Sequence, residues 1–357
     1  MNLDLLKKVS EAFGPSGFER EVQRIVKKEG EIYADEVISD RLGSLAFKIG
    51  STGPKLMFSA HVDEVGFMVS RIEDTGMLRI GKIGYPIEHF HLSHEILIKS
   101  IQNNKKYIGL IEAKPFFETN EFSNELKIQK YWVDIGCDSK EEVEELGIQV
   151  GDPAIPYSNF KLLEPLKKKR AISRNFDDRI GTYILLEVMK FIKENNIKLK
   201  NQVYFVSSTQ EEVGSRGAKT MANLIQPDIE FAIDIIPSND FPDYPHQNKQ
   251  SIGKGTVIQA YDIFLIPNPE LRKYVMDLAK RESILWQPGY LSGGGTDAST
   301  IHVSNIGIPS INLSIPLRYY HSHHSLIDFD DVRNTEKLII EIIKDFTDEK
   351  LQKIIEI

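Results

Sequence analysis

Two adjacent glutamates, Glu211 and Glu212, follow the run Val203-Tyr-Phe-Val-Ser-Ser-Thr-Gln and precede Val213-Gly214. An apolar, β-branched run of this kind reads as a buried strand of an α/β protein. The carboxyl ends of such strands line the crevice in which open α/β sheets bind ligands. Neighbouring residues cannot point the same way, so the two carboxylates are expected to do different work, one ligating a metal and the other handling protons. The pattern recurs. Lys55-Leu-Met-Phe-Ser-Ala60 is a second apolar run, and it ends in His61-Val-Asp63. His61 and Asp63 share a face on extended backbone, where a carboxylate can fix the tautomer of a metal-binding imidazole. The same pair also reads as a buried histidine satisfied by its neighbour. Glu230-Phe-Ala-Ile-Asp-Ile-Ile236 puts Asp234 in an apolar run, where a lone carboxylate is costly unless paired or metal-bound. The run at 310–315 leads to Arg318-Tyr-Tyr-His321. Asp177 and Asp178 open a helix, where either could cap it and favour its dipole or bridge two metals. Spacing leaves that choice open.

His61, Asp177, Glu212, Asp234 and His321 are thus metal-competent residues at strand or helix ends. Two imidazoles and three carboxylates can hold two divalent ions if one carboxylate bridges, and a set without thiolate suits zinc, cobalt or manganese. Such a pair clamps a carbonyl and lowers the pKa of a bridging water. Glu211, spare beside the ions, can take the water's proton and pass it to a leaving amine. His89, His91 and His94 lack a completing cysteine or carboxylate cluster and read as a solvated edge strand and turn. Gly293-Gly-Gly-Thr-Asp-Ala-Ser-Thr300 lets backbone approach a ligand, and Thr296 or Asp297 can cap the following helix. It lacks the Lys-Ser/Thr of a phosphate-binding loop, which excludes that mode of nucleotide binding.

The elements that must position these groups alternate as α/β. Leu3, Leu5, Leu6, Val9 and Phe13 have helical spacing, ended by Gly14-Pro-Ser-Gly17. Further helices are expected at 18–33, 176–195, 216–225, 268–283 and 330–351, with strands at 44–49 and 252–260. Between about 67 and 164 the texture changes. Short strands at 71–73, 77–83, 95–100, 106–112 and 131–135, a hairpin turn at Asn103-Asn104 and one helix at 139–146 describe a small β-rich domain. The expected organisation is an α/β domain of residues 1–66 and 165–357, with a mixed central sheet flanked by helices, interrupted by an inserted domain at 67–164.

Net charge is −8 over 357 residues, which disfavours nucleic acid and offers no polybasic membrane patch. One cysteine, Cys137, allows no internal disulfide and fits a reducing cytoplasm. The amino terminus has no signal-peptide run, and nothing approaches a transmembrane span.

Taken together, Gly14-Pro-Ser-Gly-Phe-Glu19, His61-Val-Asp-Glu-Val-Gly-Phe67, Phe176-Asp-Asp-Arg-Ile-Gly181, Glu211-Glu-Val-Gly214, Ala232-Ile-Asp234, Gly294-Gly-Thr-Asp-Ala298 and Arg318-Tyr-Tyr-His-Ser322 resemble the M42 metallo-aminopeptidases. That family includes glutamyl and deblocking aminopeptidases and the TET peptidases. The motifs cover almost the whole chain, and Ile135-Gly and Leu146-Gly…Gly151-Asp-Pro153 match the inserted domain. The resemblance implies a zinc-peptidase-like fold with a PDZ-like insertion that helps assembly, from dimer to dodecamer, and peptide substrates. It implies His61 and Asp234 on one metal, Glu212 and His321 on the other, Asp177 bridging, Asp63 orienting His61 and Glu211 as general base. The chain departs from the family at His323-His324-Ser325, where proline and soon an acidic residue are usual, so that either extra histidine could compete as ligand. It departs also at Ile235-Ile-Pro-Ser-Asn-Asp240 and at Phe116-Phe117. Two other readings remain. Paired carboxylates also serve glycoside hydrolysis, but that mechanism needs neither His61 nor His321. A catalytically silent metal-binding assembly protein would not need Glu211 beside Glu212.

Overall fold

Runs of buried apolar residues set the architecture. The computed structural model describes residues 1–114, 127–164, 169–242 and 250–356. Its strands are β1 (Glu36–Ser39), β2 (Leu45–Ile49), β3 (Lys55–His61), β4 (Gly66–Ile72), β5 (Leu78–Ile83), β6 (Glu95–Lys99), β7 (Lys106–Glu112), β8 (Trp132–Asp134), β9 (Pro153–Pro156), β10 (Lys161–Leu163), β11 (Arg170–Ser173), β12 (Gln202–Ser208), β13 (Ile229–Pro237), β14 (Thr256–Gln259), β15 (Trp286–Gly289), β16 (Ser310–Leu317) and β17 (Ser325–Asp328). Its helices are α1 (Leu3–Glu11), α2 (Arg20–Gly30), α3 (Lys140–Glu145), α4 (Phe176–Glu194), α5 (Arg216–Ile225), α6 (Pro269–Arg281), α7 (Ala298–Ile301), α8 (Phe329–Asp345) and α9 (Asp348–Ile355). Among the described residues no helix is long and apolar enough to cross a membrane.

The large sheet has eight strands in the order β1-β2-β12-β3-β13-β16-β14-β15. Its centre, β12-β3-β13-β16, is parallel. Every residue of β16 is buried, as are all but the first residue of β3 and all but the last of β13. That is the pattern of a sheet covered on both faces, which favours continuous apolar runs over alternation. On one face Phe58 stacks between Phe205 and Phe231, at ring separations of 6.0 and 4.9 Å, under α4 and α8. Burial of each ring contributes roughly 1.5–3 kcal/mol. On the other face Met57, Tyr204 and Val206 pack against Ala218 and Met221 of α5.

Between β3 and β10 the chain leaves this sheet and closes a six-stranded barrel, in the order β4-β5-β8-β7-β6-β9. The barrel has its own core, including Phe67, Val69, Ile80, Ile96, Ile98 and Val133. The small β-rich domain expected from sequence is therefore a closed barrel. Its closing strand, β9, pairs with both β4 and β6 and was hidden by its two prolines.

Three expectations need correction. The closing helix expected at 330–351 is two helices. Phe346 between them is extended (ψ 130°) and packs on Phe231 and Tyr274, so burying one ring breaks the helix. The first barrel strand begins at Gly66 rather than at 71. Neither Thr296 nor Asp297 caps α7 through its side chain. Thr296 Oγ1 donates to Asn312 Oδ1 at 2.7 Å, and Asp297 accepts from Ser208 Oγ, so both side chains serve the sheet instead. Phe116 and Phe117 lie outside the described residues.

Glu230, on β13, is fully buried. Ser59 Oγ donates to its Oε1 at 2.9 Å, while Oε2 has no partner. Burial, opposed by the hydroxyls of Ser59 and Ser310 and helped by the charge of Asp297, pushes its carboxyl up from 4.5 to about 8. The folded chain thus keeps a proton that the unfolded chain releases above its ordinary pKa. Stability through this group falls as pH rises from about 4.5 to about 8, at up to roughly 1.4 kcal/mol per unit. Glu230→Gln is expected to flatten that loss. Chemical unfolding of chelator-treated protein at pH 5 and 8.5 checks it, and equal slopes for variant and parent would remove the effect.

Candidate metal centre

The parallel strands carry the candidate residues to one edge of the sheet. His61 is the last residue of β3 and pairs with Ser208 at the end of β12, so Glu211 and Glu212 lie just beyond it. Ala232 of β13 pairs with Ser59, which sets Asp234 level with His61. β16 runs parallel beside β13, with Ser314 opposite Asp234, and the chain beyond its end carries His321. Asp177 and Asp178 sit at the start of α4 with non-helical backbone angles. Position distinguishes the two. Asp178 Oδ1 accepts from the Gly181 N–H at 3.1 Å, a capping bond across the first turn. Asp177 instead reaches the imidazoles.

His61 Nε2 lies 3.1 Å from Asp177 Oδ1 and 3.9 Å from Asp234 Oδ1. His321 Nε2 lies 3.2 Å from Asp177 Oδ2 and 3.2 Å from Glu212 Oε1. Two groups could each hold an ion: His61, Asp177 and Asp234, and Asp177, Glu212 and His321. They share Asp177, which turns one oxygen to each imidazole. Glu211 belongs to neither group. Its Oε2 is 4.0 Å from His61 Nε2, and its Oε1 accepts from Ser215 Oγ at 2.9 Å. All five sequence candidates therefore converge, with Glu211 beside them.

The donor set fits cations. Glu212 Oε1 is buried and has no hydrogen-bond partner despite its closeness to His321. Among the described residues no lysine or arginine pairs with Asp177, Glu211, Glu212 or Asp234. The nearby Arg174 and Arg179 pair with Glu64 instead, at 2.8 and 3.2 Å. Without a cation, burial and mutual repulsion raise the carboxyls of Asp234 and Glu211 well above their usual range, and Glu212 less so. Burial would lower His61 and His321, but the surrounding carboxylates outweigh it and hold both imidazoles well above 6.5. Asp177, between two imidazoles, is held low against its burial.

Asp63 does more than the sequence suggested. His61 Nδ1 faces its backbone carbonyl at 3.1 Å and its carboxylate at 3.5 Å. The carboxylate also accepts from Ser16 Oγ (2.6 Å) and from the N–H groups of Glu211 (2.9 Å) and Glu212 (3.1 Å). One buried side chain thus clamps the segment carrying both glutamates to the end of β3. Gln210, Ser215, Tyr319 and His321 have left-handed φ of 48–64°. Such strain on non-glycine residues gathers where a site holds the backbone. Arg318 makes two bonds to Asp240, at 2.8 and 2.7 Å, tying the unusual segment after Asp234 to the segment carrying His321.

The histidines outside this set need correction. His89 is exposed as expected, but His91 is buried, and its Nε2 lies 3.2 Å from the His321 carbonyl oxygen. The His94 ring packs 4.3 Å from that of His323. A solvated edge does not describe them, because Phe67 of β4 packs on His91 and His323, from beyond β16, packs on His94, long-range contacts that sequence spacing does not show. His323 and His324 belong to neither metal-competent group among the described residues. Burial pushes His323 down to about 3, with the neighbouring histidines adding to it.

Comparison with known proteins bears on the family and the fold. The family model for M42 glutamyl aminopeptidase matches residues 43–338. The chain is 31% identical over 353 residues to the lysyl aminopeptidase of Pyrococcus furiosus, covering 96% of this chain and 99% of that one. The structure matches a TET aminopeptidase from the marine sediment archaeon Thaumarchaeota archaeon SCGC AB-539-E09 with a TM-score of 0.95, at 37% identity, over 99% of this chain and 98% of that one. It also matches the TET1 peptidase of Pyrococcus horikoshii, which can assemble into a tetrahedron or a large octahedral shell. There the TM-score is 0.84 at 29% identity, over 96% of this chain and 99% of that one.

Ligation needs neutral imidazoles and ionised carboxylates. Because His61, His321, Asp234 and Glu212 all have raised pKa values in the metal-free chain, zinc binding is expected to release protons, with affinity rising from pH 6 to 8. Calorimetry in buffers of differing ionisation enthalpy measures this directly, and binding without net proton release would contradict the assignment.

Proposed function

This chain belongs to the M42 glutamyl aminopeptidase family and is a peptide hydrolase that removes amino-terminal residues, and we propose that it does so at a two-metal site built on Asp177. In this reading His61 and Asp234 would hold one divalent ion and Glu212 and His321 the other, with Asp177 shared between them. Zinc is the favoured metal, with cobalt or manganese as substitutes. Bound there, the ions would supply Lewis acidity toward the scissile carbonyl and acidify a water. The remaining work falls to the chain. Asp63 orients His61 and fixes the Glu211-Glu212 segment. Glu211, whose carboxyl is raised by burial and by its acidic neighbours, takes the proton of the attacking water and delivers it to the leaving amine. A base with pKa raised toward working pH suits both halves of that transfer.

The observation that carries the reading is the sharing of Asp177 between two ligand groups. Imidazoles within 3.2 Å of carboxylates speak against a glycosidase, which needs carboxylates alone. Glu211 beside both groups speaks against a silent metal-binding protein. The same reading divides the chain into a catalytic domain (1–66 and 165–357) and an inserted assembly domain (67–164). It places the protein in the cytoplasm, acting on peptides, with self-association between dimer and dodecamer, which the assembly of the TET1 relative into a tetrahedron or a large octahedral shell supports.

Three outcomes test it. Chelation should abolish peptide cleavage, and zinc or cobalt should restore it. Glu211→Gln should keep two bound ions and lower kcat by about 10²-fold or more; full activity with both ions bound would exclude it as base. Asp177→Asn should weaken both sites together, measured by metal titration, and loss at one site alone would end its bridging role.

A further inference from the structure

The barrel reaches the metal-competent groups through a loop between β5 and β6. That loop contacts His321 three times. The Tyr85 carbonyl oxygen is 3.0 Å from His321 Nδ1. The Ile87 N–H donates to the His321 carbonyl oxygen at 2.9 Å, and His91 Nε2 lies 3.2 Å from the same oxygen. A ring nitrogen facing a carbonyl must carry the proton. Tyr85 therefore leaves Nε2, which faces Asp177 and Glu212, as the ring nitrogen that would ligate an ion. The two donors on its carbonyl hold its main chain in the left-handed region, at φ 53°. Gly84, at φ 70°, lies against the other unshared member of that group. A Cβ there would stand 3.2 Å from both the Cβ and the carbonyl oxygen of Glu212. Among the described residues no comparable bond from this loop reaches His61 or Asp234.

His91 is the one histidine side chain in this arrangement that arrives from the barrel. It is 1% exposed and is seated edge-on against Phe67 of β4, at a ring separation of 5.2 Å. Among the described residues its Nδ1 has no partner, so the bond to His321 is the one its ring nitrogens make. Orienting partners of a ligand are worth about 10–100-fold in metal affinity. We propose that His91 is a positioning residue for the Glu212–His321 metal site, through which the inserted barrel sets the affinity of that site alone. This rests on the two-metal reading above.

The test is cobalt titration of the full-length chain against a chromophoric chelator, in two backgrounds. Asp234→Asn leaves the Asp177–Glu212–His321 site, and Glu212→Gln leaves the His61–Asp177–Asp234 site. His91→Phe is expected to weaken cobalt binding about 10–100-fold in the first background and to leave it unchanged in the second. His91→Gln, which keeps an N–H donor, should recover most of the loss, and exposed His89→Ala should change neither. If the phenylalanine variant does not fold, His91→Met removes the donor at similar volume. Equal weakening in both backgrounds, or none in either, overturns the proposal. Wild-type protein that binds fewer than two cobalt ions overturns the two-metal reading itself, and this proposal with it.

Discussion

Four buried or nearly buried carboxylates, Asp177, Glu211, Glu212 and Asp234, converge in this protein beyond the reach of any described lysine or arginine. Like charges in a poorly solvated site repel strongly. The metal-free chain answers by keeping protons on its acids and on two imidazoles, as the raised values of Asp234, Glu211, His61 and His321 record. Divalent cations bound there would remove the conflict by replacing those protons. Arg174 and Arg179 offer no counter-charge, because both are committed to Glu64, and Arg179 also donates to the carbonyls of Val9, Ala12, Gly14 and Val62. That commitment ties the amino-terminal segment beneath the site and leaves the carboxylates to whatever they bind.

The parallel sheet makes the convergence possible. Three neighbouring strands, β12, β3 and β13, deliver Glu211-Glu212, His61 and Asp234 to one edge because their registers place Ser208 opposite His61 and Ser59 opposite Ala232. Asp63 then pins two of these strand ends together by accepting both glutamate N–H groups. His321 is different. It comes after β16 on a backbone of unfavourable φ and bonds to the loop between β5 and β6, so one metal-competent group is framed by the α/β core while the other also touches the barrel.

Much of this was legible in the sequence because strand ends carry chemistry in α/β folds. Residues 55–60, 203–208 and 230–236 are unmistakable apolar runs, and each is followed or interrupted by metal-competent side chains. Residue spacing did not separate Asp177 from Asp178, and only the family resemblance pointed to Asp177. Both sit at one helix start, and only three-dimensional placement shows one capping and the other shared. The short barrel strands were the hardest elements. β9 contains two prolines and borrows its pairing from distant segments, and the burial of His91 follows from that closure. The long final helix failed because helical periodicity continues across Phe346, whose ring is drawn into the core instead.

The most direct measurement is anomalous diffraction at the zinc edge from crystals of the zinc-loaded protein. The account predicts two peaks per chain, about 3.5–4 Å apart as in other two-metal hydrolases. One should lie beside His61 and Asp234, the other beside Glu212 and His321, with Asp177 between them. A single peak, or a pair in which Asp177 touches one ion only, would contradict it.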